Sequence, residues 1–416
     1  MNEIIVIGGG AAGLAAAVSA AEGGAHVILL EKMARCGRKI CITGKGRCNV
    51  TTDKTHEEIM AAIRVNSRFM FSSLAAFDNR DVADFFESRG CPLKVERGGR
   101  VFPESDHARD IVDALVKAAE SNGVDIRTSS CATDIAQRQD GFVVSIENAL
   151  PIEAQAIIIA TGGLSYPLTG SSGDGHVFAR RLGIKVTPVY PALVPLISTE
   201  SWISELAGLS LRNVDVTVKG IKGKVLYSER GEMLFTHFGL SGPVILSASG
   251  HCAQYWMKNK TTLTVHIDLK PALSEKQLDA RLIREIEAAP KKHLQNMLKT
   301  LLPHKLIPIF IKCSGLSVQT AAGELTREER RTLLNLMKDF TVTVSGTRPV
   351  SEAIVTSGGI SVREIDPKTM AVKEYSGLYA CGELLDLDAY TGGFNLQIAF
   401  STGHAAGKAA CSYVGH

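Results

Sequence analysis

The first thirty residues of the chain alternate between two kinds of hydrophobic pattern. Residues 3–8 (EIIVIG) and 25–31 (AHVILLE) are short apolar runs, whereas residues 11–24 (AAGLAAAVSAAEGG) are rich in small residues. Short apolar runs bounded by glycine predict buried strands, and the longer run between them predicts a helix. The pattern therefore predicts a β-α-β unit at the start of the chain.

The same alternation continues to about residue 190 and returns near the end of the chain. Residues 108–123 have the spacing of an amphipathic helix that ends at glycine, and residues 154–163 (AQAIIIATGG) lead from an apolar run into a glycine turn. GLYACGE (377–383) repeats the strand-and-turn pattern, and residues 395–414 predict a last helix. Such alternation predicts an α/β, Rossmann-like domain whose mostly parallel sheet has helices on both faces.

A different pattern separates these two parts of the chain. Polar and apolar residues alternate with a period of two, which predicts antiparallel strands, and a helical pattern follows from Ser274 to Phe340. The predicted strands are residues 211–220, 224–236 and 262–269. We therefore predict a discontinuous α/β domain that is interrupted by an inserted antiparallel β-barrel with a helical subdomain. The predicted boundaries are 1–190 for the first part, 191–342 for the insert and 343–416 for the second part.

Composition narrows the class of protein. Among the 416 residues, 45% are hydrophobic and 21% are charged, which excludes wholesale disorder. A net charge of only +3 argues against a dedicated nucleic-acid binder, which usually carries a strong basic excess. The nine cysteines are dispersed without zinc-site spacing, so we expect no metal and a reducing, cytoplasmic location. The uncharged residues 4–21 contain three consecutive glycines, so we predict no membrane span there.

The first glycine turn matches the dinucleotide-binding fingerprint G-x-G-x-x-G. Gly8 permits the tight turn, Gly10 lets the backbone approach a pyrophosphate, and Gly13 lets the helix pack on the strand. Glu31 ends the next strand, where a carboxylate accepts hydrogen bonds from the adenosine ribose and repels a 2′-phosphate. A dinucleotide other than NADP is therefore expected at this turn.

Two later glycine turns favour FAD over NAD. Residues 160–163 (ATGG) follow a predicted strand, and Gly382-Glu383 ends another. A late glycine-acid pair is common in flavoproteins, where it holds the ribityl chain that a nicotinamide cofactor lacks. The last helix begins near Gly393, and its N-terminus could stabilise negative charge at the flavin pyrimidine edge. We therefore expect one tightly held FAD.

Several longer motifs resemble the BaiN/YhiN-like FAD-dependent oxidoreductases, a family that includes aminoacetone-oxidase-like proteins. The matching segments are GGGAAGLAAA (8–17), GRKICITGKGRCNVT (37–51), ATGGLSYPLTGSSGDGH (160–176), GEMLFTHFGLSGP (231–243), EIDPKTM (364–370) and GLYACGELLDLDAYTGGFNLQIAFSTG (377–403). The resemblance implies a two-part FAD domain with a barrel-plus-helices insert. It also implies that the GRCN loop lies near the isoalloxazine. Fold and cofactor do not fix the substrate.

These arguments together give a set of expected cofactor contacts. A basic run at residues 38–47 either neutralises phosphates or an anionic substrate, or is simply solvated. The residues expected at the cofactor are Gly8, Gly10, Ala12, Gly13, Glu31, Lys32, Arg38, Lys39, Thr43, Gly44, Gly46, Arg47, Cys48, Asn49, Thr161, Gly162, Gly163, Gly382, Glu383, Gly393, Asn395 and Gln397.

Candidate catalytic residues are fewer. His237, because histidine side chains commonly act as acids and bases, and Tyr166 are candidate proton donors during hydride transfer. Cys36 and Cys41 have the C-x4-C spacing of flavin disulfide reductases, but no second nucleotide-binding motif accompanies them. We therefore expect inert thiols rather than a redox disulfide.

The function expected from these features is hydride transfer through flavin N5. The bile-acid branch of the family implies an NAD(P)H-fed reductase of a conjugated C=C bond in a small molecule, with the insert covering the flavin. One alternative is an amine or aminoketone oxidase that uses O2. A second is an FAD-bearing binding or RNA-associated protein, with lysines of the insert (Lys291, Lys292, Lys299) as its contact surface.

Overall fold

Five short parallel strands form the main sheet in the computed structural model, which describes residues 3–415. Ile4 to Ile7 are at most 4% exposed, as expected for a parallel strand that is covered on both faces. Across the sheet the strands are Leu378–Ala380, Ala156–Ile159, Glu3–Ile7, His26–Leu30 and Asp125–Arg127. The last predicted β-segment therefore completes a sheet that the first residues of the chain begin.

The first and last helices of this unit pack closely because their contact consists of small residues. A Cβ atom at Gly403 would lie 2.3 Å from the carbonyl oxygen of Ala12, and one at Gly407 would lie 2.2 Å from that of Ala16. The alanine-rich pattern of the first helix is thus a requirement of packing. The α-helices of the unit are Ala11–Glu22, Arg38–Ile42, His56–Ala62, Phe71–Ala76, Asn79–Glu87, Ala108–Ser121, Asp174–Arg181 and Phe394–Val414.

Outside the main sheet, the described segments of this unit form four small antiparallel sheets. Strand Gly141–Ile146 belongs to one of them, because it pairs with its sequence neighbours rather than with the parallel strands. The small sheets comprise Ile152–Ala154, Gly141–Ile146 and Ala132–Arg138; Thr51–Thr52, Arg100–Pro103 and Leu93–Glu96; Tyr190–Ala192 and Val355–Ser357; and Asp388–Ala389 and Ile63–Val65. Short 3-10 helices of this unit are Thr43–Gly46, Ser67–Met70, Pro167–Thr169, Val350–Glu352, Val362–Glu364 and Gly382–Leu384.

The second compact unit, Leu193–Pro349, contains a closed antiparallel barrel with its own hydrophobic core. Its apolar residues recur with a period of two, as in Val214, Val216 and Val218, which are at most 2% exposed. Around the barrel the strands are Leu196–Ser198, Gly239–Ser241, Val225–Phe235, Ser210–Lys219, Leu263–Asp268 and Phe340–Thr347. The predicted fold class, a Rossmann-like domain with an inserted barrel and helices, is confirmed.

The helical pattern of the second unit is broken where proline occurs. Pro290 follows the helix Glu275–Ala288, and proline disfavours helical backbone at the residue before it. The α-helices are Pro243–Asn259, Glu275–Ala288, Leu294–Met297, Ile307–Ser314 and Arg327–Lys338, and the 3-10 helices are Ile203–Leu206, Ile221–Gly223, Leu298–Thr300 and Ala322–Glu324. Residue 343 lies inside the barrel strand Phe340–Thr347, and the chain re-enters the first unit at Val350.

Candidate functional site

In the first glycine turn, Gly8 and Gly13 are closely packed, whereas Gly10 borders open space. A Cβ at Gly8 would lie 2.6 Å from the carbonyl oxygen of Ala160, and one at Gly13 would lie 1.8 Å from that of Gly8. A Cβ at Gly10, in contrast, would meet no atom within 4 Å. Gly8 and Gly13 therefore close the turn, whereas Gly10 borders a cradle that a side chain would fill.

The helix that follows this turn begins without a capping side chain. Gly10 is its extended N-cap residue, and the first turn contains no acidic residue. The N-terminal N–H groups and the positive end of the helix dipole are thus suited to an anion. Ala12 in this first turn lies beside the third glycine turn, since a Cβ at Gly382 would be 2.6 Å from the Ala12 Cβ.

The Glu31 carboxylate binds the backbone of the same turn. One oxygen accepts the N–H of Gly9 at 2.8 Å, and the other accepts the N–H of Met33 at 2.7 Å. Burial raises the pKa of Glu31, while these backbone donors act in the opposite direction. Each oxygen keeps a second lone pair. Glu31 can therefore shape the loop and also accept ribose hydroxyl groups.

Glu383 lies at the centre of a network that joins distant segments. Lys39 Nζ lies 2.6 Å from one carboxylate oxygen, and the other accepts the Ser165 hydroxyl at 2.9 Å and the Thr356 N–H at 2.8 Å. Burial alone would raise the pKa of Glu383, but Lys39 and these hydrogen bonds hold it below its usual value. The network fixes the third glycine turn with the carboxylate charged.

The second glycine turn packs against this network. A Cβ at Gly163 would lie 2.4 Å from the Thr356 hydroxyl, so only glycine fits there. Gly162 has a positive φ of 72°. The Thr161 hydroxyl is buried without a hydrogen-bond partner among the described residues. A Cβ at Gly162 would lie 3.1 Å from the Ser171 hydroxyl, so this glycine is also closely packed.

The basic residues of the early segment do not form one cluster. Lys32 binds Asp174 at 2.5 Å, and Arg47 binds Glu96 and Asp106 and lies over the Phe102 ring. Their charges are therefore neutralised by carboxylates that lie far away in sequence. Two further basic side chains, Arg38 and Lys45, are exposed. Lys39 is the member of the run that joins the Glu383 network.

The GRCN loop has an unusual backbone. Gly44, Lys45, Gly46 and Cys48 all have φ between 56° and 87°, the left-handed region that favours glycine. Several side chains of this loop bond locally or are buried. The Thr43 hydroxyl donates to the Ile40 carbonyl, Cys48 is fully buried, and Asn49 Oδ1 accepts the Val101 N–H. The loop therefore presents mainly backbone to a ligand.

The start of the last helix offers backbone N–H groups to a ligand, because its polar side chains already have hydrogen-bond partners. Asn395 bonds both the N–H and the carbonyl of Ala389, and buried Gln397 pairs with Thr51 at 2.5 Å. A Cβ at Gly393 would lie 2.2 Å from the Thr51 carbonyl oxygen. The predicted polar residues thus fix the helix start, and its uncapped N–H groups remain for an anionic edge of a ligand.

A buried ion pair near this helix was not anticipated from the sequence. Arg64 binds Asp388 and the Ser357 hydroxyl and lies 5.8 Å from the centre of the Tyr190 ring. The side chains of Arg64 and Asp388 are 6% and 1% exposed, and one Asp388 oxygen has no partner among the described residues. The available signal was a lone arginine between Ile63 and Val65.

The two candidate proton donors lie in different units. Tyr166 is half-buried with a left-handed backbone, and burial together with Glu352 raises the pKa of its phenol. His237 is exposed in the barrel unit, where its ring meets Phe238 edge to face at 4.9 Å. Tyr166 therefore remains protonated at neutral pH and can act as a donor.

The cysteines of the C-x4-C segment have no features of an activated pair. Cys36 is buried beside the first glycine turn, since a Cβ at Gly9 would lie 2.6 Å from its sulfur. Burial, with a contribution from Glu31, raises the pKa of Cys36 to about 12, and burial also raises the pKa of Cys41. Neither thiol forms a disulfide. Cys36 thus lies at the end of the site expected to hold the ribose.

Residues 3–415 contain neither a membrane-spanning helix nor a metal-binding cluster. Within this range no helix is long and apolar enough to cross a membrane. The same residues contain no group of three or more His, Cys, Asp or Glu side chains suited to a metal ion. The site instead combines a glycine turn open at Gly10, a carboxylate at the end of the second strand and uncapped helix ends, and these groups fit FAD.

Comparisons with known proteins identify the class. Fold and site define an FAD-dependent oxidoreductase. The family described as HI0933-like protein Rossmann domain matches residues 2–409, so the chain belongs to that family, and the resemblance seen in the sequence is confirmed. A 3-ketosteroid delta1-dehydrogenase from Sterolibacterium denitrificans shares the fold, with a TM-score of 0.54, 13% identity, and coverage of 99% of this chain and 100% of that one.

Full-length relatives fall into two groups by name. The 3-dehydro-bile acid delta(4,6)-reductase of Clostridium scindens is 32% identical over 413 residues, which cover 99% of each chain. Ribosomal RNA dihydrouridine synthases of Escherichia coli and Haemophilus influenzae are also 32% identical, with coverage of 98% and 97% of this chain and 97% of each relative. Overall similarity therefore does not separate the two activities.

Proposed function

We propose that this protein reduces a C=C bond that is conjugated with a carbonyl group. The observation that carries the proposal is that relatives of equal identity, named for different substrates, share this bond change. A 3-keto-4,6-diene and the uracil ring both contain a C=C bond conjugated with a carbonyl. In both, a hydride adds to the carbon distant from the carbonyl, and a proton adds to the neighbouring carbon.

Each part of the site would bind a different part of FAD. Once FAD is bound and has been reduced by NADH or NADPH, its N5 would supply the hydride. Gly10 and the helix that follows it would hold the pyrophosphate, and Glu31 would accept the ribose hydroxyls. Glu383 would orient the ribityl chain, and the helix that starts at Phe394 would stabilise negative charge at the pyrimidine edge.

Tyr166 is our first candidate for the proton donor, and His237 is the second. The raised pKa of Tyr166 keeps its proton available, and its half-buried position limits exchange with bulk water. Tyr166→Phe and His237→Gln remove the proton with little change in shape. The true donor should show a large loss of turnover with unchanged reduction of the flavin.

The electron donor that we propose is NADH or NADPH. The O2-using amine or aminoketone oxidase has less support, because the full-length relatives described above are named for reductive products. Uridine in RNA is a second candidate substrate beside a steroid-like enone. Two of the three relatives are named for it.

Anaerobic turnover distinguishes these candidates. Purified holoprotein is mixed with NADH or NADPH and then with a 4,6-dien-3-one steroid, a bacterial ribosomal RNA fragment, or an amine. We expect the steroid or the uridine to gain two hydrogen atoms, as measured by mass spectrometry. The corresponding saturated ketone is the control. Oxidation of the amine on admission of O2, with both conjugated substrates unchanged, would support the oxidase instead.

A further inference from the structure

A groove in the barrel unit lies between a hairpin turn and the end of a helix. The turn Ile221–Gly223 connects two long barrel strands, and the helix Pro243–Asn259 ends beside it. The Tyr255 hydroxyl accepts the Ile221 N–H at 3.0 Å, and a Cβ at Gly220 would lie 2.7 Å from the Tyr255 ring. Hairpin and helix end are thus joined, and the groove has a volume of about 440 Å³.

Positive charge is concentrated at this groove. Lys224 and Lys258 line it, and the nearby Lys222 and Lys260 are exposed as well. We call the groove with these four lysines the lysine groove. No aspartate or glutamate occurs in residues 216–228 or 233–267. Glu229, just beyond the first segment, accepts a hydrogen bond from the Tyr227 hydroxyl.

Helix stability explains only part of this charge. Lysines near the C-terminus of a helix interact favourably with its dipole, which accounts for Lys258 and Lys260. The same argument does not apply to Lys222 and Lys224, because they lie on the hairpin. A shared anionic partner accounts for both pairs.

The remaining groups of the groove match RNA better than a lipid surface. Gln254 and Asn259 line the groove. The Asn259 amide nitrogen already donates to the Tyr255 carbonyl at 2.9 Å, so the exposed Gln254 amide is the group that can bond phosphate or ribose oxygens. Val225 is 55% exposed and offers apolar contact to a ribose or base. A membrane surface favours apolar groups that protrude from a flat or convex face, whereas these polar groups line a concave one.

We propose that the lysine groove binds the phosphate backbone of folded RNA and so anchors an RNA substrate. The inference rests on the RNA branch of the proposed function, and it deepens that branch by assigning a surface to it. The small net charge of the whole chain does not oppose it, because phosphate binding depends on local charge density.

The test compares two variants with the same change in net charge. The groove variant is Lys222→Gln, Lys224→Gln, Lys258→Gln and Lys260→Gln. The control variant is Lys276→Gln, Lys291→Gln, Lys292→Gln and Lys299→Gln, whose lysines are exposed elsewhere in the same unit. The control set includes the lysines first considered from the sequence as an RNA contact. Thermal unfolding checks that both variants fold.

Binding of a fluorescein-labelled ribosomal RNA hairpin to the oxidised holoprotein is measured by anisotropy over a salt series. We expect the groove variant to bind at least about tenfold more weakly near 0.1 M salt, with a salt slope reduced by about 3. The control variant should bind within about twofold of the parent. Reduction of a steroid dienone by the same variants reports the proposed function separately and should be unchanged.

Three outcomes would overturn the inference. These are absence of RNA binding by the parent protein, an equal loss of binding in both variants, and binding of phosphatidylglycerol vesicles without binding of RNA. The last result would assign the groove to a membrane surface. Because the binding assay contains no electron donor, a failure of flavin chemistry cannot imitate any of them.

Discussion

Glu31 illustrates how one residue can serve both the fold and the cofactor. Its two oxygens accept the N–H groups of Gly9 and Met33, and each keeps a second lone pair that could accept a ribose hydroxyl. The sequence position alone predicted the ribose contact. The two backbone contacts add a structural role, so substitution should affect the apoprotein as well as the holoprotein.

Replacing Glu31 by alanine should therefore lower FAD retention and also the stability of the apoprotein. Loss of a charge-assisted hydrogen bond costs about 1.5–3 kcal/mol, and the backbone donors are left without their acceptor. Glu31→Gln should be milder, because its carbonyl oxygen can replace one acceptor. Thermal unfolding of the apoproteins and FAD occupancy after dialysis measure the two effects. Unchanged occupancy in Glu31→Ala would remove Glu31 from the ribose site.

Cys36 and Cys41 should be dispensable for electron transfer. The raised pKa of Cys36, about 12, leaves almost no thiolate at neutral pH, and a thiolate is the reactive form. Cys36→Ser and Cys41→Ser should keep flavin reduction and turnover within a few-fold of the parent, as measured by anaerobic stopped-flow. A thousandfold loss, with disappearance of a thiolate-to-flavin charge-transfer band, would instead indicate a redox disulfide.

At the scale of elements, the first glycine turn offers a matched pair of substitutions. Gly10→Ala places a methyl group in open space, whereas Gly13→Ala places one 1.8 Å from the Gly8 carbonyl oxygen. Gly10→Ala should leave apoprotein unfolding nearly unchanged and weaken FAD binding at least about tenfold, because the methyl fills the phosphate cradle. Gly13→Ala should destabilise the apoprotein by about 1–3 kcal/mol. Undiminished FAD binding by Gly10→Ala would place the pyrophosphate elsewhere.

The Lys39–Glu383 pair connects a short helix with the third glycine turn, and it should make FAD retention depend on pH. The pKa of Glu383 is lowered in the folded protein, so its stabilising contribution is complete above the usual glutamate pKa. That contribution is lost as the pH falls through the lowered value. Lys39→Met should raise this pKa and move acid release of FAD to higher pH. Flavin fluorescence during acid titration measures it.

Lys45→Met is the matched control for that titration, because Lys45 is exposed and carries the same charge. Its release curve should coincide with that of the parent. If the Lys39 and Lys45 variants release FAD at the same pH, the ion pair does not contribute to the flavin site.

At the scale of the whole molecule, the sequence predicts features that depend on neighbouring residues, but it does not predict ion pairs between residues far apart in the chain. The glycine turns and three of the six barrel strands could be predicted, because close packing and period-two alternation act on neighbouring residues. The short strands Leu196–Ser198 and Gly239–Ser241 were missed, and the predicted boundary at residue 342 divides the strand Phe340–Thr347. The Arg64–Asp388 pair could not, since its members lie 324 positions apart and neither has a distinctive local pattern. The ion pairs of Arg47 could not be predicted either, because its carboxylate partners are 49 and 59 positions away. Its expected place at the cofactor stays a prediction.

The net charge of the whole chain also does not reveal which residues folding brings together. The balance of +3 averages over the lysine groove, where four lysines occur in segments without acidic residues. An average cannot show where like charges are brought together by folding. The sequence argument against a nucleic-acid partner therefore excludes a uniformly basic protein, but it does not exclude a local binding surface.

Reoxidation of the reduced flavin by substrate is the most direct test of the account. The holoprotein is photoreduced without a nicotinamide donor and mixed anaerobically with a 4,6-dien-3-one steroid, with a uridine-containing ribosomal RNA fragment, or with a compound whose C=C bond is isolated from any carbonyl. The account predicts that the yellow absorbance of oxidised FAD returns with at least one conjugated substrate, as that substrate gains two hydrogen atoms, and not with the isolated alkene. Persistence of reduced flavin with both conjugated substrates, followed by rapid reoxidation on admission of O2, would contradict it.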